Sequence, residues 1–175
     1  GLEGDPALLV VGPRILKAES RRMLRRLGLS RVLFLAVDEG RPGELPLSRP
    51  PDVELVLEAF RAGVVWGAFV VDPVATWMPG RGALRSEFFV HGRPGVNPAD
   101  RTAPRRHAAS SRAAARICEA GQRARIPVMR IHPASSLSWR TPEWKFLAQV
   151  TATTILKDTD TCLWEKPDRH RLRVW

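Results

Sequence analysis

Cysteine is nearly absent from this 175-residue chain: only Cys118 and Cys162 occur, and neither belongs to a CxxC pair or a Cys/His cluster. That excludes the common structural zinc modules, gives no sign of a disulfide framework, and fits a reducing cytoplasm. No apolar run approaches the roughly 18 residues that a membrane-spanning helix needs, so no membrane partner is expected. Lysine is scarce as well, with Lys17, Lys145, Lys157 and Lys166 alone among the 28 basic residues. Ser110, Ser111, Ser135 and Ser136 stand in no GxSxG elbow, which leaves a serine hydrolase without support. His91, His107 and His170 are scattered through basic or loop sequence and make no metal set with Asp72. The opening GLEGDP has neither an initiator Met nor a basic-then-apolar leader, so the chain is expected to be a piece of something longer.

What the chain has in excess is arginine. Its 28 Lys and Arg against 18 Asp and Glu give a formal charge of +10. The planar guanidinium fork matches phosphate, which makes nucleic acid a candidate partner. The other reading is an arginine-rich but solvated surface, since the basic residues are dispersed. With 44% hydrophobic residues spread along its length, the chain reads as one globular domain over 1–175.

The order of patterns predicts an α/β fold. ALLVV (7–11) is a short apolar run of the kind buried in a parallel sheet, closed by Gly12-Pro13. A helix follows, with Leu16, Met23, Leu24 and Leu27 as its apolar stripe and Gly28 as its end. RVLFLAV (31–37) is a second strand. After a Pro/Gly-rich loop, Asp52 is expected to cap a helix carrying Val53, Val56, Leu57 and Phe60 at i, i+3, i+4 and i+7. VVWGAFVVD (64–72) is the third strand. Residues 78–104, with PGRG and GRPG, are expected to form a mobile loop. A helix over 105–125 places Ala114, Ile117, Cys118 and Gly121 on its inner face, and IPVMRIHP (126–133) is the fourth strand. Such alternation implies right-handed crossovers and a mostly parallel sheet covered on both faces. Beyond it, KFLAQV reads as a short helix, and TTILKD, TCLWEK and RLRVW read as short strands joined by DTD and PDRH turns, an antiparallel C-terminal edge. Asp158 and Asp160 are read as a solvated hairpin tip.

The third strand ends on Asp72, and Pro73 forbids further pairing. Ligands gather at the carboxyl ends of parallel strands, and a carboxylate there can hold the water shell of a magnesium ion bound to nucleotide phosphates. The plain alternative is an Asp-Pro turn that ends a buried strand.

The segments RRMLRRLGLSRVLFLAV, LPLSRPPDVELVLEAF, VVDPVATW, NPADR, VMRIHPASS and TTILKDTDTCLWEK, taken in order, resemble the RecA-like P-loop ATPases of the RepA and DnaB type, the hexameric replicative helicases and their plasmid relatives. The resemblance covers roughly residues 8–175 and rests on order and spacing. It implies a RecA-like three-layer fold, ATP and Mg2+ as cofactors, DNA rather than RNA as partner in replication, and a homo-oligomeric ring. Asp72 becomes the Walker B carboxylate that holds the metal. His132 becomes a sensor of the γ-phosphate or of the attacking water, against the reading of a turn histidine beside Pro133. Lys166 becomes a trans-acting cation in a neighbouring subunit's nucleotide site, against a solvated hairpin lysine. The contact loops after the third and fourth strands carry Arg81, Arg85 and Arg93, then Trp139, Arg140, Trp144 and Lys145, which can pair with phosphates and stack on bases. Equally, SWRTPEW can be a packed loop whose tryptophans cover the sheet edge. The chain departs from the family in two places. No G-x-x-x-x-G-K-[ST] occurs, and Gly12, Pro13 and Arg14 stand where the family carries acidic residues, among them the usual catalytic Glu. GPRILKAES (12–20) is an ordinary strand-to-helix turn or a degenerate P-loop. Three functions are therefore expected: an ATPase core that couples nucleotide to nucleic acid, a catalytically silent module that binds nucleic acid or a protein through basic loops, or, by fold analogy only, a nucleotide- or sugar-binding α/β domain unrelated to ATPases.

Overall fold

A computed structural model describes residues 6–12, 22, 24–29, 31–36, 47, 49–79, 84–150, 157–160 and 171–174. Its centre is strand β1 (Ala7–Gly12), all six residues of which are buried. A strand that is apolar at every position needs cover on both faces, and β1 has it. Leu9 and Val11 point into the main core, while Leu8 and Val10 pack with Leu24 from the helical residues 24–26 on the opposite face. The helical stretch ends where expected, at Gly28 with φ 76°, and the Leu29 amide returns to the Leu24 carbonyl at 2.9 Å. Leu27, expected in the apolar stripe, is two-thirds exposed at 67%, and Leu16 and Met23 lie outside the described residues.

Strand β2 (Val32–Ala36) pairs parallel with one edge of β1, and β3 (Val65–Val70) pairs parallel with the other. Between them runs helix α1 (Pro50–Arg61), whose Val53, Val56, Leu57 and Phe60 are all buried. Asp52 is not its cap. Pro50 and Pro51 open the helix, because their missing amides would be unpaired in a first turn anyway, and Asp52 sits inside that turn beside Arg49, 3.5 Å away. Helix α2 (Thr102–Arg123) leads from β3 to β4 (Val128–Pro133), which pairs parallel with β3. It starts three residues earlier than its pattern suggested, since Pro104 is tolerated in a first turn. Its Gly121 is required by packing: a Cβ there would stand 2.1 Å from Val128 Cγ2.

A 3-10 turn (Leu137–Arg140) and helix α3 (Pro142–Val150) follow β4. Short strands β5 (Lys157–Asp160) and β6 (Arg171–Val174) pair antiparallel with each other, and β6 pairs antiparallel with β4. Asp158, Thr159 and Asp160, expected as a turn, are extended in β5, where backbone pairing with β6 overrides the turn preference of Asp. TCLWEK lies outside the described residues. The sheet order is β2-β1-β3-β4-β6-β5. The result is an α/β fold around four parallel strands, with α1, α2 and α3 packed on one face and the 24–26 segment on the other. The chain first moves from β1 to β2 and then doubles back past β1 to β3. With right-handed crossovers that reversal forces the connections onto opposite faces and makes the β1/β3 boundary the switch point of the sheet.

Candidate functional site

Asp72 lies two residues beyond β3, at that boundary. Parallel pairing sets Val70 opposite Arg130, so two residues further on Asp72 shares a face with Arg130 and His132. All three are buried to within 1% of complete enclosure. The Arg130 guanidinium grips the carboxylate with both ends of its fork, Nε donating to Oδ1 at 2.7 Å and Nη2 to Oδ2 at 2.8 Å. It also donates from Nη2 to the Ser138 hydroxyl at 2.9 Å. Its planar group lies 4.3 Å from the ring centre of Trp139 and 3.9 Å from that of Trp144. The two tryptophans are tied in turn, the Trp139 indole N–H to the Pro133 carbonyl and that of Trp144 to Ser111. An arginine seated against two indoles that meet edge to face, with a bidentate carboxylate ahead of it, is a fixed strut joining β3, β4, the 3-10 turn and α3.

His132 is the third member, its Nε2 3.7 Å from Asp72 Oδ2. Burial pushes its pKa down, Asp72 pulls it up and Arg130 pushes it down again, which leaves it at about 4 and the ring neutral near pH 7. Burial alone would raise the Asp72 carboxyl. The charge of Arg130, then that of His132, and the Arg130 hydrogen bonds hold it below its ordinary value. Cys118, buried beside the same pair, has its thiol pushed up by burial and is inert as a nucleophile.

The resemblance pointed to magnesium and ATP at Asp72. Magnesium keeps waters in a near-ideal octahedron and takes one or two open carboxylates. Here both carboxylate oxygens accept from a guanidinium, the side chain has no exposure, and among the described residues no three His, Cys, Asp or Glu side chains are grouped as a metal set. As arranged, the Asp72 cluster does not fit a magnesium ion.

The remaining candidates separate by burial. Arg85, expected on a contact loop, is 1% exposed. It donates to the Val90 carbonyl at 2.6 Å and to that of Pro104, and lies 3.6 Å above the ring of Trp77. Burial, and then Arg112, lower its pKa to about 10. It fastens the loop to the start of α2 and does not face solvent. Trp139 and Trp144 serve the strut. Arg140 is exposed and pairs with Glu87 at 2.9 Å, bridging the loops after β3 and β4, and Lys145 is exposed on α3. Arg93 is exposed and lines an open groove of about 510 Å³ between the 84–96 loop and the start of α2. Arg81 and Lys166 lie outside the described residues. The structure thus brings Asp72 and His132 together, and sets Arg93 on a separate surface.

Sequence reasoning passed over Arg130, Arg101 and Arg105. A signal for Arg130 was present: an arginine two residues before His132 in an otherwise apolar strand, IPVMRIHP, has to find a buried anion. No protein-family model matches the chain, and neither a curated protein nor a solved structure matches it.

Proposed function

We propose that the chain is a catalytically silent RecA-like module that binds nucleic acid through its basic loops. The observation that carries the silent half is the closed Asp72–Arg130 pair: the carboxylate that would hold the metal is instead an internal anchor. The resemblance in element order and the antiparallel strands beside β4 support the RecA-like half. The exposed Arg93, Arg140 and Lys145, on the segments where ring helicases of this type carry their contacts, support nucleic acid as partner, with DNA as the preferred form and a homo-oligomer as the working state.

The competing reading is an ATPase core, favoured by the place of Asp72 at the carboxyl end of a parallel strand beside the switch point. Magnesium-dependent ATP turnover decides between them. The silent reading expects none above background, and it expects Asp72→Asn to lower stability alone. Turnover that needs magnesium and vanishes in a folded Asp72→Asn variant overturns it.

A further inference from the structure

The groove beside Arg93 is bounded by two pieces of ordered backbone. On one side Ser86 and Phe89 exchange backbone hydrogen bonds at 3.2 and 3.3 Å, and the Arg93 amide closes back onto the Leu84 carbonyl at 3.0 Å. Gly92 at φ 129° and Gly95 at φ 80° make the bends a side chain would resist. On the other side Asn97 accepts from the Ala99 amide and starts a 3-10 turn (Pro98–Arg101) that runs into α2. The buried Arg85 bolts the two sides together through the carbonyls of Val90 and Pro104.

Within this frame the lining is one-signed. Arg93, Arg101 and Arg105 supply its charge, and no Asp or Glu lines it among the described residues. Arg101 is steadied by its Nε, which donates to the Val96 carbonyl at 2.9 Å. Apolar surface lies among the cations: Phe89 lines the groove at 47% exposure, and its neighbour Phe88 is 90% exposed. A plain anion uses the arginines and leaves the phenylalanine wet. A peptide acidic only through Asp and Glu uses the arginines but brings no flat group of its own to Phe89. A nucleoside phosphate answers both, with its phosphate on guanidinium forks and its base on an aromatic face, and about 510 Å³ falls in the size range of small-ligand clefts.

The geometry points to this groove as a recess for one nucleoside phosphate unit, with Arg93, Arg101 and Arg105 on the phosphate and Phe89 against the base. It rests on the nucleic-acid reading above and gives it a place. The unit arrives either as part of a single strand or as a free nucleotide.

Fluorescence anisotropy of a labelled oligothymidylate on the whole chain, over a salt series, tests it. Arg101→Ala and Arg105→Ala are each expected to weaken binding and to flatten the log–log salt dependence by about 0.7 per lost phosphate contact. Phe89→Ala is expected to weaken it about tenfold with the slope unchanged, because stacking releases no counterion. Thymidine monophosphate that displaces the probe only at far higher concentration identifies the strand as source, whereas one that binds as tightly as the oligomer identifies the free nucleotide. Polyglutamate that competes as well as thymidine monophosphate, with Phe89→Ala silent, overturns the nucleotide chemistry. If the groove variants bind like wild type while Arg140→Ala and Lys145→Ala do not, the recess falls and the nucleic-acid reading stands. If wild type fails to bind at any salt, both fall. Circular dichroism of each variant keeps a loss of fold apart from a loss of contact.

Discussion

Arg130 and Arg105 carry the same side chain in opposite surroundings. Arg130 is enclosed against two indoles with its charge neutralised by Asp72, whereas Arg105 stands in solvent on a groove that has no carboxylate among its described lining. The first arrangement consumes its charge in holding strands and helices together and has nothing left for a ligand. The second contributes little to stability and keeps its charge available. Arg85 stands between them, since it is buried like Arg130 yet shapes the groove that Arg105 lines. In a chain this rich in arginine, charge alone does not say which residues remain accessible to a partner. Burial does.

Substitutions in the strut carry the largest expected effect. Arg130→Ala leaves Asp72 buried without its counterion and is expected to cost about 3–5 kcal/mol in urea unfolding. Arg130→Lys loses the bidentate fork and recovers only part of that. The double variant Asp72→Leu/Arg130→Met is expected to be more stable than either single variant, because it removes the pair together. Equal or lower stability of the double variant means that the strut does more than neutralise a buried charge. Arg85→Ala comes next. It strips two carbonyls of their donor and removes the cation from Trp77, for about 2–3 kcal/mol in the same assay, and it loosens residues 84–93 in hydrogen exchange.

A pH titration of stability sharpens the contrast further. The His132 pKa is depressed from 6.5 to about 4, so between those values the unfolded chain binds more protons than the folded one. Stability is therefore fully present above pH 6.5 and falls as pH drops toward 4, at no more than about 1.4 kcal/mol per pH unit for one proton. Asp72, also depressed, adds a second loss below its ordinary value of 3.8. His132→Gln is expected to flatten the upper part of this slope, and an unchanged slope assigns it to another group. The smallest effect on stability belongs to the groove. Arg101→Ala and Arg105→Ala are expected to change unfolding free energy by no more than about 0.5 kcal/mol, while changing oligonucleotide binding. A large stability loss there places them with Arg130 and erases the distinction.

The parallel sheet was legible because its strands are short, mainly apolar runs, with Gly12-Pro13 closing the first, Asp72-Pro73 the third and Pro133 the fourth, and because Val53, Val56, Leu57 and Phe60, or Ala114, Ile117 and Cys118, repeat at helical spacing. Asp72 was legible as unusual, and His132 as sitting at a strand end. Their partner was not, since Arg130 lies 58 residues from Asp72 and meets it through the β3–β4 register. Arg85 and Arg93 stand eight positions apart on one glycine-rich loop and look alike as letters. One is enclosed and the other is open.

By itself, then, the sequence determined the α/β class, the buried faces of β1, α1 and α2, and the excess of arginine, because periodicity and composition are properties of short segments. Tertiary structure alone decided that Asp72 faces a guanidinium, that Trp139 and Trp144 clasp it, and that Arg93, Arg101 and Arg105 gather on one groove. A side chain's electrostatic role is set by its desolvation and its neighbours in space, and neither exists until strands distant in sequence are brought into register.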